Sequence, residues 1–311
     1  YTLSLHDALP IYLIHLFSPA LMSVSGMVNG RYMNVPIIAN YQTDLPGYAP
    51  VYGFPEFTQH MMREWLRYIH NGCHLTLAPS TYTMQQLRRW GYHRLRRWGR
   101  GVNGERFNPQ HYRAEMRARL LNGRDPDSLL CLYVGRLATE KCVDLLLEVA
   151  QTPGVALTII GDGAMREDLE RMFADTGTNF TGYMFGTELA QAFASADVFL
   201  FTGPNETFGQ VVQEAMASGL PSVVIDQGGA ADLVENGVNG YTCPPHPGAF
   251  AEAVRRMRDD GSLRRRMSQN ARQLVENRSW EAVMAQLEGY YAEAAAMNAR
   301  YGRVYNQMSR R

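Results

Sequence analysis

The residues best suited to chemistry are concentrated in TGPNETFGQVVQEAMASGLP, residues 202–221. An apolar run, DVFLFTG, leads into a short loop, and a helix is expected to begin near Gly209 and to end at Gly219 and Pro221. A helix that starts above strand ends points free N–H groups and the positive end of its dipole into the space there, which suits a phosphate. Gly209 would let that phosphate approach closely. Glu206 sits just before the helix and faces the crevice mouth, whereas Glu214, just over two turns later, can reach sideways to hydroxyl groups. The alternative is a pair of ordinary solvated glutamates on a surface helix.

A second constellation is GRLATEK, which puts Arg136 at the carboxyl end of a strand and Lys141 at the start of the next helix, so that both can lean over one crevice. Arginine offers a fork of donors and lysine a compact charge. Of the 30 basic residues 29 are arginine and Lys141 is the only lysine, which points to a role that needs its shape. An exposed salt bridge with Glu140 or Asp144 is the simpler reading. GDGAMRE, with Asp162 and Gly163, follows a strand and opens a helix, but it lacks the third glycine of a dinucleotide fingerprint and so argues against a nicotinamide enzyme.

These residues require a framework of parallel strands. From Tyr12 the apolar runs YLIHLF, VPIIAN, HLTLAPS and LRRWGRGV alternate with helical periods near Phe57 to Asn71 and Thr81 to Trp90. After a polar stretch the alternation resumes with LLCLYVG, VALTIIG, NFTGY, DVFLFTG and PSVVI, each followed by a helix. The expected organisation is a first domain over residues 12–127, a second over 128–278, and a closing segment, 279–311. That segment should be a long helix with Trp280, Val283, Leu287, Tyr290 and Tyr291 on one side, crossing back to the first domain. The opening YTLSLHDALPI, residues 1–11, resembles translated adapter read-through and is expected to be a non-native leader.

Composition narrows the partners. The chain has 311 residues, 46% hydrophobic and with zero net charge, so it is long enough for two cores and carries no global field toward nucleic acid. Residues 1–120 nevertheless carry 13 Arg against 6 Asp and Glu, and the remainder 17 Lys and Arg against 24, so the two parts are +7 and −7. The positive part would turn toward an anionic surface such as a bilayer. The apolar stretch Tyr12 to Val28 is short for a membrane span and holds His15, Pro19 and Gly26. Four cysteines without CxxC spacing suggest a reducing cytoplasm. RRWGYHRLRRWGRG, around Arg88 to Arg100, interleaves arginines with aromatics as a nucleic-acid surface would, but strand and turn reading breaks it up, so no nucleic-acid partner is expected; a lipid-headgroup or acceptor-side surface is the other reading of this stretch. His70, Cys73 and His74 read as a helix end entering a buried strand, and Asp125-Pro-Asp127 as a turn, so no metal site is expected.

The string E-x7-E with TFG and the tail EAMASGLP resembles the retaining glycosyltransferases of family 4. The resemblance extends through YVGRLATEKCVDLLL, LTIIGDGAMREDLERM, FTGYMFGTELAQAFASADVFL and IDQGGAADLVENGVNGY, and in the first domain through ANYQTDLPGYAPVYG, TLAPSTYTMQQL and RWGRGVN. It implies an α/β fold of two Rossmann-like domains around an interdomain cleft, the GT-B architecture. Among its members these motifs look most like GDP-mannose-dependent α-mannosyltransferases acting on membrane glycolipids, with sulfoquinovosyl-diacylglycerol synthases as near relatives.

The resemblance assigns Arg136 and Lys141 to the diphosphate, Glu206 to donor-sugar hydroxyls and Glu214 to the ribose. It also brings Asp162, Gly163, Thr207, Phe208, Gly209 and Gln210 to the donor, and Tyr183 and Met184 to its base, although packing alone would account for the last two. Gln42, Thr43 and Asp44 fall on the acceptor side. Family members commonly have a histidine in this loop. Gln42 cannot act as a general base, and front-face retaining transfer instead lets the leaving phosphate take the acceptor proton. The first strands and Gly-rich loop of the first domain are missing before Tyr12, which implies an N-terminally truncated chain.

The expected activity is retaining transfer of a hexose, mannose from GDP-mannose, to a lipid-linked hydroxyl, without metal or cofactor, in the cytoplasm at the inner face of the cell membrane. A UDP-sugar glycolipid synthase and an inactive donor-binding fragment are the alternatives.

Overall fold

The structure is a computed structural model that describes residues 11–17, 21–276 and 278–308. Residues 1–10 of the expected leader lie outside the described residues. The chain divides into two compact units: the described parts of Tyr1–Gly99 with Met284–Arg311, and Arg100–Val283.

The first unit holds a parallel sheet, β1 (Ile14–Leu16), β2 (Ile37–Asn40), β3 (Leu75–Ala78) and β4 (Leu95–Arg97), in the order β1-β2-β3-β4. Every residue of β2 and β3 is buried, as expected where both faces of a parallel strand are covered. Ile38, Leu75 and Leu77 pack against Leu287 and Ala294 of the terminal helix Trp280–Met308. Part of the apolar stretch considered as a span is the helix Leu21–Tyr32. Among the described residues no helix is long and apolar enough to cross a membrane.

The second unit holds six parallel strands: β5 (Leu129–Val134), β6 (Val155–Ile160), β7 (Asn179–Gly182), β8 (Val198–Phe201), β9 (Ser222–Ile225) and β10 (Gly240–Cys243). Their spatial order is β10-β9-β8-β5-β6-β7. The chain winds outward from β5 to β7, then returns to lay β8 beside β5 and winds the other way. The loops that follow β5 and β8 therefore leave on opposite faces and open a crevice at the strand ends. The two α/β units are Rossmann-like.

Several expectations need correction. The division falls at Gly99 and Arg100 rather than between 127 and 128, because Val102, Phe107, Met116, Leu120 and Leu121 bury themselves in the core that holds Leu130 and Phe199. The polar-looking stretch before Asp125 contains the helix Ala114–Leu121. Strand β10 was not anticipated, being at the sheet edge with only its end residues buried.

Two local readings are seen in the fold. Asp125 Oδ1 accepts from the Asp127 amide at 2.9 Å, a turn. His74 Nδ1 accepts from the Ile37 amide at 3.0 Å while His70 and Cys73 are buried. The arginine and aromatic stretch is also no continuous surface. Tyr92 is buried against Tyr41 and His70, Trp98 packs beside the terminal helix, Arg94 donates to carbonyls of Asn71 and Cys73, and Arg96 pairs with Glu293.

Candidate active site at the ends of β5 and β8

Lys141 lies on a single 3-10 turn, Thr139–Lys141, in the loop after β5. Its ammonium is 3.1 Å from Glu206 Oε2 in the loop after β8, so the pair closes over the break in strand order. Thr202 Oγ1 donates to the Lys141 carbonyl at 2.6 Å and ties the same two loops through the backbone. The lysine side chain is 16% exposed and the glutamate 28%, which shields the charges from solvent yet leaves them reachable. The simpler reading, an exposed bridge from Lys141 to Glu140 or Asp144, gives way because Glu140 is buried and pairs with Arg136 instead.

The helix Gln210–Ala217 begins directly after this loop, and Gly209 is its N-cap with φ +87°. A Cβ at Gly209 would stand 2.8 Å from the Ala230 Cβ, so the glycine is required by the backbone and its packing before any ligand is considered. Gln210 and Gln213 donate to the carbonyls of Gly101 and Arg100 at 3.1 and 2.9 Å, anchoring the helix to the segment that enters this unit. Phe208 lies in the core and Thr207 is buried. Burial pushes the Glu214 carboxyl up to about 7, against smaller opposing effects from Gln210 and Arg106. Glu214 is thus a carboxyl that gains and loses its proton near neutrality.

The turn after β6 is laced to the loop after β5. Leu137 donates its amide to the Asp162 carbonyl at 2.9 Å and accepts from the Met165 amide at 3.0 Å. Cβ atoms at Gly161 and Gly163 would stand 1.9 Å from Gly135 O and 2.2 Å from Leu137 O, so these glycines allow two loops to touch. The Asp162 carboxylate accepts from the Gly163 amide at 2.7 Å and pairs with Arg166 at 3.0 Å. After β7, Met184 is buried in the core, as the packing reading requires, whereas Tyr183 is exposed and stacks on Phe185 with ring centres 5.7 Å apart.

The acceptor-side residues belong to the first unit. Asp44 is buried and caps the helix Leu45–Tyr48, its carboxylate accepting from Tyr41 Oη at 3.0 Å, the Gly47 amide at 3.2 Å and Gln86 Nε2 at 3.4 Å. That carboxylate is occupied by the fold. Thr43 is exposed and Gln42 partly buried. Sequence reasoning did not single out Glu140 or Thr202 as parts of the site. Glu140 carried one signal, its place beside the only lysine.

Comparison with known proteins identifies the family. Residues 117–274, which include Arg136, Lys141, Glu206 and Glu214, match the family described as Glycosyl transferases group 1, and residues 3–106 match Glycosyltransferase Family 4. The GDP-mannose-dependent alpha-mannosyltransferase of Mycobacterium tuberculosis is 42% identical, over 89% of this chain and 72% of that protein. Sulfoquinovosyl transferase SQD2 of Arabidopsis thaliana is 36% identical, over 91% of this chain and 57% of its own length. A solved structure of HepE from Anabaena, in complex with UDP, superposes with a TM-score of 0.77 at 19% identity, covering 90% of this chain and 79% of that one. Its likeness lies in the two-unit fold. With the lysine and glutamate facing each other across the break in strand order inside the matched region, the chain belongs to the group 1 family of glycosyl transferases.

Proposed function

We propose that this chain transfers mannose from GDP-mannose, with retention, to a hydroxyl of a lipid-linked acceptor. The observation that carries the proposal is the Lys141 and Glu206 pair at the ends of β5 and β8, with Arg136 on the same loop. When the bond between the sugar carbon and the β-phosphate oxygen breaks, negative charge gathers on the diphosphate, and an arginine and a lysine held beside it stabilise that charge. These two cations do the work a metal would otherwise do, so the proposal needs no metal or cofactor. Glu206 holds the sugar hydroxyls, and Glu214 holds the ribose. The acceptor oxygen bonds to the sugar carbon on the face the diphosphate leaves, and its proton passes to the departing phosphate oxygen, because Gln42 has no basic atom.

The relative that names GDP-mannose is the more similar of the two sequence relatives, at 42% against 36% identity, and this favours mannose over sulfoquinovose. Thermal protection by GDP and not UDP, followed by transfer from GDP-mannose, is the expected result. Protection by UDP alone would move the assignment to the UDP-sugar alternative. Comparing this chain with a counterpart spanning the full length of its relatives tests the inactive-fragment alternative.

A lipid acceptor brings the protein to a membrane, and the supporting surface is not the stretch around Arg88 to Arg100. On the helix Glu56–Asn71, Leu66, Ile69 and His70 face the core, while Phe57, Met61, Trp65 and Tyr68 form an exposed stripe continued by Tyr52 and Phe54. An exposed aromatic stripe that ends at Tyr68 beside Arg31 and the Arg67–Glu64 pair, in a part of the chain with excess positive charge, matches the interface of an anionic bilayer. Co-sedimentation with anionic vesicles should fall with added salt and should be lost in Phe57→Ser with Trp65→Ser. Equal retention by neutral vesicles, or by the variant, would remove the membrane claim.

A further inference from the structure

We infer that Glu140 is a positioning residue that holds the Arg136 guanidinium over the crevice, an inference that rests on the donor-site reading above. The pair is markedly asymmetric. The Glu140 side chain is 1% exposed and that of Arg136 is 59% exposed, yet Arg136 Nη2 donates to Glu140 Oε1. A carboxylate taken out of water for stability alone is a poor arrangement, since an apolar side chain of the same size commonly does as well. Here the buried carboxylate grips one nitrogen of a planar cation whose side chain stays more than half exposed, so its other N–H groups are within reach of a ligand.

The backbone supports the same role. Residues 139–141 form one 3-10 turn, fixed by the Lys141 amide donating to Ala138 O at 2.9 Å and by Thr202 Oγ1 on the Lys141 carbonyl. Within that turn one residue faces inward and grips Arg136, while its neighbour faces Glu206. The two cations proposed to meet the diphosphate are thus set by a single rigid turn, one directly and one through Glu140. A long side chain as exposed as Arg136 would otherwise spread over many rotamers, and an anion would have to order it on binding.

The test is a double-mutant cycle on GDP affinity, measured by calorimetry with wild type, Glu140→Gln, Arg136→Ala and the double variant. Glu140→Gln should weaken GDP by about tenfold in the wild-type background and by less than about twofold once Arg136 is alanine. An equal loss in both backgrounds, or no loss in the first, overturns the inference while leaving the donor-site reading intact. A wild-type chain that binds neither GDP nor UDP overturns both. Should Glu140→Gln fail to fold, Glu140→Asp keeps the charge and withdraws it by one methylene, and a loss confined to the background with Arg136 present supports the inference as before, whereas an equal loss in both overturns it.

Discussion

After β2, the carboxylate of Asp44 is buried and receives the Tyr41 hydroxyl, the Gly47 amide and the Gln86 amide; after β8, the carboxylate of Glu206 is left partly exposed and faces the Lys141 ammonium. Both follow parallel strands, where ligands of α/β proteins usually sit. The first network has its hydrogen bonds met from within and makes a rigid cap. The second spans two loops that are far apart in sequence and leave adjacent strands, so its partners are joined through space by side chains that a ligand can redirect. A strand-end position is therefore no guide to function by itself. What matters is whether the polar groups there are already used.

The largest effect expected from this contrast is on turnover. Lys141→Ala should lower kcat by on the order of 10² to 10³ with the melting temperature nearly unchanged, since the lysine is proposed to act on charge that develops as the diphosphate departs. Unchanged turnover would place Glu206 and Lys141 in the same class as Asp44. Conversely, Asp44→Ala should cost about 1 to 3 kcal/mol in denaturant unfolding, through the lost cap and the unpaired Tyr41 hydroxyl, and leave GDP affinity as it was. Weakened GDP binding without loss of stability would break the comparison from the other side.

Acidity separates the two regions next. Burial lifts Glu214 from 4.5 to about 7, so between those values the folded chain keeps a proton that the unfolded chain has lost, and stability falls as pH rises through that window. His70 in the first unit is shifted by burial from 6.5 to about 4, so its contribution is lost as pH falls through that range. Melting curves of Glu214→Gln should lose the decline toward neutral pH and retain the decline toward acid. Among alanine variants of the two glutamates, calorimetry should find GDP weakened more by Glu214→Ala than by Glu206→Ala, and the reverse order would exchange their roles.

The smallest effect concerns the residue after the turn that carries Lys141. Cys142 has φ +48°, a left-handed conformation that costs a non-glycine residue roughly 1 kcal/mol. Cys142→Gly should raise stability by at most about 1 kcal/mol, because glycine also gives up more freedom on folding, and should leave kcat unchanged. A fall in kcat would mean that the thiol or its Cβ helps hold the turn.

Much of the fold was legible because central parallel strands are buried on both faces and stand out as apolar runs, as in LLCLYV and VALTII. GYTC at the edge is buried only at its ends and gave no such signal. AEMRARLL was hidden by its charges, although Met116, Leu120 and Leu121 are spaced to face one core. In the site, the singleton lysine was readable from composition, but its partner was not. Sequence neighbours Glu140 and Asp144 were the natural candidates, and only the adjacency of β5 and β8 brings Glu206, 65 positions away, to 3.1 Å. The exposed aromatic stripe was equally opaque, since a helix with apolar residues on two faces does not declare which of them is the core.

The pairing of Arg136 and Lys141 with carboxylates also bears on what the crevice attracts. Arg136 with Glu140 and Lys141 with Glu206 cancel in pairs, so the crevice offers little net charge to an approaching anion. Orthophosphate or a polyphosphate would have to compete with Glu206 for the lysine and, being itself an anion with few hydroxyl donors, could offer that carboxylate little in exchange. A nucleoside diphosphate sugar brings an anion for the cations and hydroxyl groups for the displaced carboxylate, so it can settle both sides of the exchange at once. Such a crevice would disregard the abundant small anions of a cell and answer chiefly to a ligand that carries both chemistries in one molecule.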